Sequence, residues 1–197
     1  MRRESTAEEF WAWFAGEAAT FHAADLGERS DLVGAFGERL RMVDDRLAFQ
    51  ISALRDGVRD VEISADGLRA LAPKVHEVVG AAPRIAGWRI HAFRQPVENE
   101  VSIRFGEMEL DWQSIRFVAR RSPATLAPML DVELFVGGLT RESEDRLMGA
   151  VFLLLDALLG EEAVMTRLNE IAPRPLTQAP GGHRPLVELR DEVRALG

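Results

Sequence analysis

The stretch that most constrains this chain is the alternation between residues 47 and 64. Leu47, Phe49 and Ile51 alternate with Ala48, Gln50 and Ser52. After Arg55-Asp56-Gly57, Val61 and Ile63 alternate with Asp60, Glu62 and Ser64. Successive side chains of a strand point to opposite faces, so this pattern predicts two strands, each with one apolar face. Asp-Gly supplies the turn that folds one strand back on the other. The hairpin must then bury its apolar face against something else.

The rest of the chain supplies that cover. Ser5 or Thr6 can cap a first helix, and Phe10, Trp11, Phe14, Ala18 and Phe21 fall on one arc of it, with Trp13 at the edge. A second helix is predicted over 31–45, with Asp31 as N-cap and Leu32, Val33, Phe36, Leu40 and Val43 on one face. Ser64 or Asp66 is expected to cap the next helical region, where Pro73 starts a helix ending near Pro83. Further strands are predicted at 87–94, 107–112, 115–120 and 130–136. In the first, Trp88, Ile90 and Ala92 alternate with Arg89, His91 and Phe93.

Gly137-Gly138 closes the last of these, and Thr140 or Ser143 begins a long helix. Leu147 to Leu159 of that helix is apolar around most of its circumference, which predicts a central, buried element. Residues 161–175 read as either strand or helix. The Pro/Gly-rich segment 173–185 reads as a loop before a C-terminal helix carrying Leu186, Leu189, Val193 and Leu196. These elements predict an α+β fold: a mostly antiparallel five- or six-stranded sheet, an N-terminal helical hairpin and a long buried central helix. The expected organisation is a single domain over 1–197, with 173–185 as the linker candidate.

Composition narrows the chemistry. The chain has 197 residues and no cysteine, so disulfides, thiolate metal sites and cysteine nucleophiles are excluded. Its net charge of −8 argues against a general nucleic-acid binder. Only residues 84–121 are locally basic, with 7 basic against 5 acidic side chains. Lys74 is the one lysine among 24 basic residues, a bias that a GC-rich bacterial genome explains. No leader pattern follows Met1-Arg2-Arg3-Glu4, and the longest apolar run, 149–155, is far short of the about 20 residues of a membrane span. The expected location is cytoplasmic, with no membrane or nucleic-acid partner.

No catalytic motif emerges. The histidines His22, His76, His91 and His183 show no metal-ligand spacing. There is no phosphate-binding glycine loop, no dinucleotide fingerprint and no serine elbow. The expectation is therefore no cofactor, no metal and no assigned catalytic residue.

Three segments carry a resemblance. Phe10-Trp11-Ala12-Trp13-Phe14, Ile63-Ser64-Ala65-Asp66-Gly67, and Ala81-Ala82-Pro83 with Trp88 and Ala92-Phe93-Arg94-Gln95 together resemble an uncharacterised family of bacterial proteins. The resemblance covers about the first half of the chain. It implies a shared α+β fold and assigns no activity, cofactor or catalytic residue.

The strand pattern points to one surface. Period two places Asp60, Glu62 and Ser64 on one strand face, Arg89 and His91 on another, Arg116 and Arg120 on a third, and Asp131 and Glu133 on a fourth. If these strands share a sheet, its outer face carries acidic and basic lanes. Such a face is either a solvated surface of cross-strand ion pairs or a recognition surface. Phe93 is the exception, since alternation places it on the charged side. The candidate binding residues are Arg89, His91, Arg116, Arg120 and Glu62. The leading functional expectation is a non-enzymatic module that binds another protein through this face. The alternative is a small-ligand binder or motif-less enzyme with His91 as general base. A homo-oligomer is the third expectation, supported if Trp11 and Trp13 form an exposed patch.

Overall fold

A computed structural model describes residues 5–106 and 108–196; the expectations at the N-terminal four residues and at Glu107 lie outside them. The chain forms two compact units that divide between Arg94 and Gln95. The 173–185 segment expected as a linker lies inside the second unit.

The first unit opens with α1 (Ala7–Ala23) and α2 (Ser30–Leu40). Thr6 caps α1: its hydroxyl accepts from the Glu9 amide at 3.2 Å, and the Glu9 carboxylate accepts from the Thr6 amide at 3.2 Å. This reciprocal pair satisfies two of the N–H groups a helix start leaves orphaned. The arc of α1 is buried as its spacing predicts. Phe36 of α2 meets Phe10 and Phe14 edge-on, with ring centroids 5.1 and 5.3 Å apart. The start of α2 differs from expectation. Arg29 holds the cap position, and Asp31 forms a two-pronged ion pair with it instead of capping the helix.

Next come β1 (Ala48–Ile51) and β2 (Arg59–Ser64), antiparallel, with Phe49 opposite Ile63 and Gln50 opposite Glu62. The turn is as the sequence predicts: Asp56 and Gly57 both have positive φ, 51° and 76°, and Arg55 and Val58 exchange both backbone hydrogen bonds. A 3-10 turn and α3 (Ala72–Gly80) follow. Ser64 does not cap α3; its hydroxyl accepts from the Asp66 amide at 2.9 Å, within the preceding turn.

The strand β3 (Trp88–Ala92) then pairs parallel to β2, making a β-α-β unit where an antiparallel neighbour was expected. Phe93 leaves the alternation at its end. Its φ of 67° departs from strand geometry, and its ring, 1% exposed, meets His76 of α3 edge-on at 5.1 Å. This is why an aromatic can follow Arg89 and His91 without lying beside them.

The second unit begins with a short hairpin, β4 (Ile103–Phe105) and β5 (Met108–Leu110). Then β6 (Arg116–Arg121) and β7 (Leu130–Val136) pair antiparallel. The long helix α4 (Glu144–Leu159) follows, with Leu147, Val151, Leu154 and Leu158 in the same core as Phe117, Val132 and Leu134. It is not buried all round: Phe152 and Leu153 are 40% and 47% exposed. The ambiguous stretch resolves into both alternatives, α5 (Glu161–Arg167) and then β8 (Leu168–Pro175), which pairs parallel to β7. After a 3-10 turn, β9 (Arg184–Pro185) joins β6, and α6 (Leu189–Arg194) closes the chain.

The α+β class therefore holds, but the single, mostly antiparallel sheet does not. The described residues form three small sheets, ordered β1-β2-β3, β4-β5 and β8-β7-β6-β9. No helix among them is long and apolar enough to cross a membrane.

Candidate functional site

The division into three sheets separates the candidate residues into two groups. In the first unit, parallel pairing sets Asp60 beside Arg89 and Glu62 beside His91. Arg89 grips Asp60 with both prongs, Nε to Oδ1 at 2.7 Å and Nη2 to Oδ2 at 2.8 Å. His91 Nε2 lies 2.8 Å from the same Oδ1. A carboxylate only accepts, so Nε2 carries the proton, and a neutral ring keeps Nδ1 as its acceptor. The Arg89 hydrogen bonds, aided by His91, hold the Asp60 carboxyl below the usual carboxylate range against the cost of its partial burial. A second pair, Arg94 Nη2 to Asp66 Oδ1 at 2.7 Å, lies just beyond the strand end. The polar face of this sheet thus spends its guanidiniums on its own carboxylates.

The second unit carries the other group. On the side of β7 opposite the core lie Asp131, Glu133 and Phe135. Register places Arg120, Val118 and Arg116 beside them on β6, and Glu170, Ala172 and Arg174 on β8. Arg120, Asp131 and Glu170 make one row, and Arg116, Phe135 and Arg174 another. Between them, Val118 and Ala172 flank Glu133 and form the low point of a shallow hollow with about 100 Å³ of space. That volume is well short of an ordinary small-molecule pocket, at roughly 300–1,000 Å³.

The charges here are engaged unequally. Asp131 is the fixed member. Asn169 Nδ2 donates to its Oδ1 at 2.8 Å, and that bond, with further help from Ser122 and Arg120, holds its carboxyl below the usual range. Arg120 approaches it only to 3.8 Å and is 72% exposed. Arg174 stands 3.7 Å from Glu133. Arg116 engages no carboxylate among the described residues.

Arg89, His91 and Glu62 thus share one sheet, while Arg116 and Arg120 belong to a different one. Sequence reasoning missed Asn169 and Arg174, which stand in the segment it left between strand and helix. It also missed the role of Arg59, whose buried guanidinium donates to the carbonyls of His22 at 3.3 Å, Ser52 at 2.9 Å and Ala24. The β2 alternation does place Arg59 on the apolar side, and that was the available signal. The indole of Trp11 is buried and Trp13 is half-buried beneath Arg39, whose guanidinium carbon is 5.3 Å from its ring, so the two make no open aromatic patch. Among the described residues no group of three or more His, Asp or Glu side chains is placed to hold a metal ion. No protein-family model, curated protein or solved structure matches the chain.

Proposed function

We propose that this chain is a non-enzymatic protein-interaction module of the bacterial cytoplasm, and that it recognises its partner through the outer face of β6, β7 and β8. The observation that carries this reading is the contrast between the two sets of arginines. Arg89 is held by Asp60 through two short hydrogen bonds, whereas among the described residues Arg116 has no carboxylate partner and Arg120 is largely exposed with only a loose one. A guanidinium presents a planar fork that matches a carboxylate in both distance and direction, so under-engaged arginines on a strand face suit a partner with projecting Asp or Glu. The shallowness of the hollow favours a protein surface over a metabolite.

Affinity purification of the tagged chain from its native host, with mass spectrometry, tests this. The comparison is an Arg116→Ala/Arg120→Ala variant shown to be folded. A partner held by the parent and lost by the variant is the expected result. A partner held equally by both moves the interface off this face, and no partner in either overturns the reading.

One observation favours the alternative, a ligand binder or enzyme with His91 as general base: the 2.8 Å contact that orients the ring against Asp60. A carboxylate that fixes a histidine's tautomer is a recurring arrangement in acid–base catalysis. His91, however, lines neither the hollow at β6–β8, nor the cleft along β1, nor the hollow at the end of α3. A metabolite screen with the His91→Ala variant as control tests this reading; thermal shifts common to parent and variant count against it.

A further inference from the structure

A concavity in the first unit follows the open edge of β1. It is an open cleft of about 800 Å³, the size of a ligand site, and its walls are mostly apolar: Leu26, Val33, Phe49, Ile51 and Leu54. Among the described residues the edge itself is unpaired: β2 alone neighbours β1 in its sheet, and the Ser52 amide points at β2, donating to Asp60 O at 2.9 Å. Backbone groups alternate in direction along a strand, so the N–H and C=O of both Phe49 and Ile51 point away from β2, toward the cleft.

Arg59 closes one end of this cleft. Its residue is 4% exposed, and its guanidinium joins the end of β1 at Ser52 to the end of α1 at Ala24. Its partners are all carbonyls; among the described residues it meets no carboxylate. Three of its five N–H groups are used in those bonds. A buried cation without a counter-charge is costly, and an anion that enters beside it recovers part of that cost. Asp25, on the rim, has one oxygen already accepting from the Gly27 amide at 3.0 Å.

We propose that the cleft along β1 binds the C-terminal segment of a partner protein. The segment adds as an extended strand to the β1 edge and ends with its carboxylate on Arg59. Main-chain hydrogen bonds to Phe49 and Ile51 would give affinity, the apolar walls would select alternate side chains, and Arg59 would set the end point. The terminus is favoured over a side-chain carboxylate because the 24–27 turn lies at Arg59, where the strand must stop. This site is independent of the β6–β8 face.

The test uses the full chain and a library of random peptides of about seven residues displayed with free C-termini. Enriched peptides are synthesised as the free acid and as the C-terminal amide. The expected result is that the acid shifts the Phe49 and Ile51 amides and the Arg59 Nε–H in NMR spectra, and that the amide binds at least about tenfold more weakly. Ile51→Pro removes an N–H that faces the cleft and leaves the β2 ladder intact, so it should lose binding about tenfold or more without loss of fold. Arg116→Ala/Arg120→Ala should bind as the parent does, which separates this proposal from the preceding one. Failure to enrich any peptide, equal binding of acid and amide, or shifts confined to β6–β8 each overturns it.

Discussion

Asp60 and Arg89 face each other across the parallel β2–β3 pair and are joined by two hydrogen bonds of 2.7 and 2.8 Å. Because Arg89 lowers the Asp60 pKa only in the folded chain, the pair makes stability depend on pH. An unfolded Asp ionises near about 3.9. The contribution is therefore complete above that value, declines as pH falls through it, and is gone below the folded-state pKa. Arg89→Ala should lower the urea midpoint at pH 7, and the difference from the parent should shrink as pH falls below about 3.9 toward the folded-state pKa. Equal midpoints for parent and variant at pH 7 would remove the pair from any account of stability.

The Asp131 carboxyl depends first on Asn169. Asn169→Ala removes that donor and should raise the Asp131 pKa toward its ordinary value, as followed by carboxyl-carbon NMR. An unchanged titration would assign the depression to Ser122 and Arg120 alone. The same variant frees Asp131 to draw Arg120 closer, which would weaken partner capture by the β6–β8 face.

Trp11 Nε1 donates to the Val78 carbonyl at 2.6 Å. Val78 lies in the last turn of α3, where carbonyls have no partner within the helix. Trp11→Phe keeps an aromatic on the α1 arc but leaves that acceptor unmet, so it should destabilise the first unit by about 1–3 kcal/mol. Chemical denaturation measures this, and a loss below a few tenths would mean that water replaces the indole.

Gly87 has φ of 79°, and a Cβ there would stand 2.8 Å from His22 Nε2. His22 itself donates to the Gly57 carbonyl at 3.0 Å. Gly87→Ala should therefore cost about 1–2 kcal/mol for the backbone alone, and more for the displaced imidazole. In a His22→Ala background only the backbone part should remain. A double-mutant cycle reads the difference, and strict additivity would show that the ring yields freely.

Local chemistry was legible in the sequence, the β1–β2 hairpin included, and strand neighbours distant in the chain were not. The 55–58 turn, the α1 arc and the span of β7 follow from side-chain period and from the φ that Asp-Gly permits. Period two assigns a residue to a face of its own strand; it carries no information about which strand lies alongside. Asp60 with Arg89 and Asp131 with Arg120 therefore looked like lanes of one surface, although they belong to different sheets. The β5 strand falls inside the predicted 107–112, but its partner β4 escaped because a three-residue strand offers too little alternation to register. The end of β8 escaped because Pro173 and Pro175 argue against a strand, which is sound in a sheet interior and fails at an edge.

Those prolines have a further effect. Facing Leu134 and Val136 across the ladder, they share a direction, and the donors they lack are those that would point outward from the sheet. Of the β8 positions 171, 173 and 175, only Ile171 can offer a proton to a passing chain. Sheet growth by stacking of like molecules is thus blocked on that flank of the second unit, so any ordered polymer of this protein would have to start from a different border.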